Sequence, residues 1–128
     1  MDKANYHKNY YCNNKERILA QKRIYRLVNL KKIHEYDATP ARRFKQYKYN
    51  AKHHKLVLDI ILEDFMRIIE QPCYYCGGVG YGIDRLDSKV GYTKDNIVSC
   101  CSKCNYMKQE LLPEDFIKQC RTISNRFI

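Results

Sequence analysis

Two Cys-x-x-Cys hooks, Cys73 with Cys76 and Cys101 with Cys104, stand 24 residues apart in a chain of 128. Zinc takes four thiolates in a tetrahedron at ~2.3 Å, and each hook folds its own backbone turn around two of them, so the pattern commits this stretch to wrapping one ion. Reading the four as small buried hydrophobes leaves the repeated spacing unexplained. Cys100 competes with Cys101 for one place, but only Cys101 completes a two-residue hook and lies one helical turn from Cys104. Cys12 and Cys120 have no partner motif and read as buried or idle thiols. An odd total of seven cysteines fits metal ligands and free thiols in a reducing compartment better than disulfides.

A chain of this length buries one modest core, which a structural metal supplements. No apolar run approaches the ~20 residues that a membrane helix needs. The opening "MDKANYHKNYYC" also lacks the apolar stretch of a secretory signal, so a soluble intracellular protein is expected. The net charge of +10 is lopsided: residues 1 to 55 hold 15 Lys and Arg against 4 Asp and Glu, and the remainder holds 9 against 10. A charge run usually means solvated surface. Here seven tyrosines interleave it, and duplex DNA is the partner that best exploits the combination.

Residues 1–39 read as a basic helical extension and 40–128 as the Cys-framed domain. Asn13 and Glu16 form a capping-box pattern, and the absence of Gly and Pro beyond them predicts a helix from about 14 to 36 with a thin stripe of Ile18, Ile24 and Leu27. An approximate repeat aligns Tyr10, Asn14 and Ile18 with Tyr25, Asn29 and Ile33. Thr39 and Pro40 open a second helix to about His53, with Phe44, Tyr47 and Ala51 on one stripe and Lys45, Lys48, Lys52 and Lys55 on another. A strand candidate at 56–59 and a helix over 62–70 follow. Glycines between 77 and 82 mark a tight turn after the first hook. "GIDRLD" and "NIVS" then read as a hairpin joined by "SKVGYTKD", with a helix from "SKCNYMK" and a last helix from Pro113 that buries Phe116, Cys120 and Ile123.

A zinc ion with four thiolates is coordinatively closed, so any chemistry belongs to what the frame holds in place. Asp84 on the first hairpin strand and Asn105 directly after a hook cysteine are the candidates. Either residue alone reads as a loop cap or a helix-start hydrogen-bonder. Together inside the frame they suit one magnesium or manganese ion, with waters and a phosphate completing the octahedron.

From about Phe44 to Leu112 the chain resembles the HNH endonucleases, the ββα-metal nucleases, and in particular the zinc-framed branch with endonuclease VII-like junction resolvases and homing enzymes. The "C-x-x-C-G-G" opening, "IDR" and "KDNIVSCCSKCN" stand in the family's order. The resemblance implies an α+β fold, a small treble-clef-like ββα-metal domain framed by zinc, preceded here by basic helices. It implies Asp84 and Asn105 as ligands of the catalytic ion and Asn96 as the residue tying the loop together. Arg85 is the departure. It stands where most members carry the histidine that activates water, and a guanidinium with a pKa above ~12 takes no proton near neutrality. Asp87, His53, His54, a nearby tyrosine or the metal alone are the alternatives for that role, and Arg85 is read as a phosphate clamp. Strand alternation points Asp84 and Arg85 to opposite faces, so a bulge is expected if both are to reach one phosphate. Lys108, one turn beyond Asn105, joins Lys45, Lys48 and Lys52 as a candidate phosphate contact.

The expectation is therefore a metal-dependent DNA endonuclease with structural zinc and catalytic magnesium or manganese, nicking once per monomer. The alternative is a non-catalytic zinc protein that binds DNA on the same scaffold.

Overall fold

Nothing between Lys3 and Asp37 interrupts helical hydrogen bonding, and the computed structural model, which describes residues 2–128, has one helix there, α1 (Lys3–Asp37). It starts eleven residues before the expected first turn because the Asp2 carboxylate accepts from the Ala4 N–H at 3.4 Å. Asn14 instead turns its amide back onto the Tyr10 carbonyl at 2.9 Å, and Asn29 does the same to Tyr25 at 2.9 Å. The approximate repeat is thus one local hydrogen bond used twice. No residue of α1 is buried, and the Ile24 and Leu27 of the expected stripe are exposed. The chain divides into two compact units, one ending at Thr39 and the other running Pro40–Ile128.

In the second unit Pro40 opens α2 (Pro40–His53), whose locked φ suits a first helical position. Its two stripes separate: Phe44 and Ala51 are buried with Tyr47 beside them, while Lys45, Lys48 and Lys52 are exposed. Then come β1 (Leu58–Asp59), α3 (Leu62–Ile69), β2 (Gly82–Arg85), β3 (Tyr92–Thr93), β4 (Ile97–Cys100), α4 (Ser102–Lys108) and α5 (Pro113–Arg126). β2 and β4 are antiparallel, with Asp84 opposite Val98 and Arg85 opposite Ile97. The expected strand at 56–59 shrinks to two residues, because its partner is a short segment inside the hairpin loop: β1 pairs with β3 in parallel, Leu58 beside Tyr92. Gly91 makes that approach possible, since a Cβ there would strike the Val57 backbone.

The core gathers Phe44, Phe65, Ile83, Tyr92 and Ile97 between the helices and the β2–β4 pair. A second cluster of Cys73, Cys100 and Cys104 adjoins Tyr75 and Cys101. Phe116 of α5 packs edge-on against Tyr75 at 5.4 Å, but Ile123, two turns on, is exposed, so only the start of α5 is anchored by burial. Among the described residues no helix is long and apolar enough to cross a membrane.

Candidate metal centre and nuclease-like site

Each hook is shaped by its own backbone. Cys73 N–H bonds to the Gly78 carbonyl at 2.7 Å and Gly77 N–H returns to the Cys73 carbonyl at 2.9 Å, a reversal closed at Gly77 with φ of +72°, which glycine adopts without strain. The second hook is a helix start, where the Cys101 sulfur caps α4 by accepting from Cys104 N–H at 3.4 Å. The four sulfurs of Cys73, Cys76, Cys101 and Cys104 lie within 4.8 Å of one another. Cys76 and Cys101 are 3.8 Å apart, the edge of a tetrahedron with ~2.3 Å zinc–sulfur bonds. The donors fit a structural zinc. Burial would raise the Cys73 thiol, but backbone N–H groups of Cys101, Cys76 and Tyr75 bring it down to about 6. Burial holds the Cys104 thiol high, as do its three sulfur neighbours. Cys100 lies outside the four; its buried thiol donates to the Cys101 carbonyl at 3.3 Å, and burial raises it.

Beside this frame, Asp84 sits buried in the middle of β2. Its Oδ2 accepts from the Tyr75 hydroxyl at 2.7 Å. Burial first, then the bond to Asp84 and its charge, push the Tyr75 phenol well above its ordinary range, so it stays a donor. The Lys108 ammonium lies 3.4 Å from Oδ1 and 3.3 Å from Oδ2 of Asp84 and 3.2 Å from the Arg85 carbonyl. Lys108 is 0 % exposed, which corrects its reading as a phosphate contact. The reason is helical spacing: Cys101, Cys104 and Lys108 occupy positions i, i+3 and i+7, and the two cysteines already fix that stripe inward. Tyr75 carries no sequence pattern of its own; its place between the cysteines of the first hook, inside a metal knuckle, is the one signal that marks it.

Asp84, Arg85 and Asn105 line one cavity of about 90 Å³ with Ser88, Gln109 and Glu110. The successive strand residues Asp84 and Arg85 both border it without a bulge, because β2 ends at Arg85 and the long side chain bends into the following loop. There its Nη1 donates to the Ser88 carbonyl at 2.6 Å and the Val90 carbonyl at 3.4 Å, and its Cζ stands 5.1 Å from the Tyr92 ring centroid. Asn96 fastens the same loop from below, donating to the Gly91 and Asp87 carbonyls at 2.9 and 3.0 Å and accepting from Asp87 N–H at 2.9 Å. Gln109 ends α4 with φ of +53°, turning the chain so that Glu110 borders the cavity. Of the possible bases, His54 lines a cleft of about 420 Å³ that Arg85 shares, His53 stacks on Tyr49 at 6.0 Å, and Asp87 accepts from Lys89 N–H at 2.9 Å.

The residues on these walls bring the oxygen chemistry that suits a hard divalent cation: Asp84 carries a carboxylate and Asn105 an amide, with Ser88, Gln109 and Glu110 beside them. At ~30 Å³ per water, the volume has room for an ion and part of its hydration shell. Tyr75 and Lys108 both reach the Asp84 carboxylate, although neither residue lines the cavity.

No family model matches the chain. An uncharacterised protein of Acanthamoeba polyphaga mimivirus is 38% identical over 96 residues, which cover 72% of this chain and 18% of that protein's length. The chain therefore spans under a fifth of that relative. Among solved structures, the rare-cutting HNH restriction endonuclease PacI aligns with a TM-score of 0.55 at 19% identity, covering 69% of this chain and 78% of PacI. At that identity the likeness speaks for the backbone: this chain has an HNH-endonuclease-like fold, and it carries four clustered cysteines that could hold a metal ion.

Proposed function

We propose that the chain is a zinc-framed, divalent-metal-dependent DNA endonuclease of the HNH type. The observation that supports it most is the meeting of Asp84 and Asn105 on one small cavity, on an HNH-like fold, with Arg85 on its wall. Asp84 and Asn105 would hold the magnesium or manganese ion, which when bound supplies Lewis-acid polarisation of the phosphate and of the attacking water. Asn96 keeps the loop that positions Arg85. The Arg85 guanidinium, aligned by Ser88 and Val90, stabilises the charge that builds on the phosphate and donates hydrogen bonds to it. Lys45, Lys48 and Lys52 on the open face of α2, and the basic α1, bind backbone phosphates on either strand.

The test is cleavage of a panel of linear, nicked and branched DNAs with magnesium, with manganese and with chelator. Metal-dependent nicking supports the reading. DNA binding with no cleavage of any substrate favours the second reading, a zinc-containing DNA-binding protein on the same scaffold, for which the cation on Asp84 and the missing histidine at position 85 speak. Deleting residues 1–39 is expected to weaken DNA binding. In a plot of log affinity against log salt, the slope should flatten by about 0.9 for every phosphate that α1 had neutralised. An unchanged slope after the deletion would assign α1 to some other partner.

A further inference from the structure

We propose that Lys108 makes ion binding at Asp84 conditional on a DNA phosphate, an inference that rests on reading the Asp84–Asn105 cavity as a divalent-cation site. A wholly buried lysine is rare unless it is paired. This one is held by both oxygens of Asp84 and by the Arg85 carbonyl. The charge that would attract an ion is therefore already answered from inside the protein. The charged residues lining the cavity are Asp84, Glu110 and Arg85, and Lys108 is paired to Asp84, so the formal charge of the four sums to zero before any ligand enters.

An ion bound by either oxygen of Asp84 at ~2.1 Å cannot lie further than about 5.5 Å from the ammonium, given pairs of 3.4 and 3.3 Å. At such a separation a unit positive charge lowers the affinity of a divalent ion on the order of tenfold even when screened as in water, and more in a half-enclosed site. A phosphodiester entering beside Arg85 brings back negative charge and offers an oxygen ligand of its own. Ion and DNA then bind cooperatively, and each raises the affinity for the other by the same factor. The free protein is left with a site that takes up little metal, and the chemistry is assembled on the substrate.

The experiment counts free Mn²⁺ by electron paramagnetic resonance over the zinc-loaded full chain, with and without a short duplex, correcting for Mn²⁺ held by the duplex alone. Wild type is expected to bind Mn²⁺ weakly by itself and about tenfold or more tightly with duplex. Lys108→Met and Lys108→Gln are each expected to bind it about tenfold more tightly without duplex, and Lys108→Arg to remain weak. Near-UV circular dichroism checks that each variant is folded. Where one neutral variant does not fold, the other tests the role of Lys108, and the wild-type comparison with and without duplex still tests whether ion binding is conditional on DNA. Equal Mn²⁺ affinity in wild type and the folded neutral variants, or a wild-type affinity indifferent to duplex, overturns the role of Lys108 while leaving the cation site standing. No Mn²⁺ bound by any variant, with duplex present, overturns the cation site as well.

Discussion

Cys76→Ser is expected to unfold the Pro40–Ile128 unit and to leave the protein without stoichiometric zinc. The size of the effect is what makes it diagnostic. The Cys76 side chain is exposed, and exchanging an exposed thiol for a hydroxyl changes stability by about 0.5 kcal/mol or less when no metal is involved. With zinc, the same exchange removes one of four ligands from an ion whose binding supplies about 10–16 kcal/mol in small zinc domains, as much as or more than the whole ~5–15 kcal/mol stability of a domain. Elemental analysis should find one zinc per chain in wild type, and chelation should reproduce the melting behaviour of the variant. A Cys76→Ser protein that melts like wild type would remove the metal frame.

Asp84→Asn should have two separable consequences. The shape is kept, but a wholly buried ammonium loses its counter-charge, which costs about 3–5 kcal/mol. Adding Lys108→Met to make the double variant should recover most of that loss, because a neutral amide beside an apolar chain leaves no buried charge to answer for. DNA cleavage should be lost in both, since neither restores the anionic ligand. Denaturant titration reads the first consequence and the DNA panel the second. If the double variant regains both stability and cleavage, Asp84 serves only as the partner of Lys108 and the nuclease site lies elsewhere.

Much of this arrangement is written in local pattern. A hook of two cysteines needs only its own turn, so the four thiols can be assigned without knowing the rest of the fold. Asp84 and Asn105 can be picked out as candidates that meet on one cavity because each lies a fixed step from the frame, one across the hairpin and one directly after Cys104. What local pattern does not carry depends on partners distant in the chain. The strand at Tyr92–Thr93 exists through pairing with Leu58–Asp59, more than thirty residues earlier, and two residues have no periodicity of their own. Lys108 looks like any surface lysine until the inward stripe through Cys101 and Cys104 is extended one turn. The start of α1 is hidden for a different reason: a plausible cap at Asn13 is only an option to begin, and nothing in the preceding ten residues forbids helix.

The phenol of Tyr47 reaches from α2 to the outer margin of β2, donating to the Ile83 carbonyl at 3.2 Å and accepting from the Ile83 N–H at 3.1 Å. One oxygen atom thus answers both backbone groups that a foreign strand would use to dock there, and Gly82 beside it has no side chain to push the ring away. A sheet of only two strands has two raw margins and little bulk to hide them. By sealing the one at Ile83 with a ring already locked into the core against Phe65 and Tyr92, the molecule guards a crowded solution of its own copies against edge-to-edge aggregation.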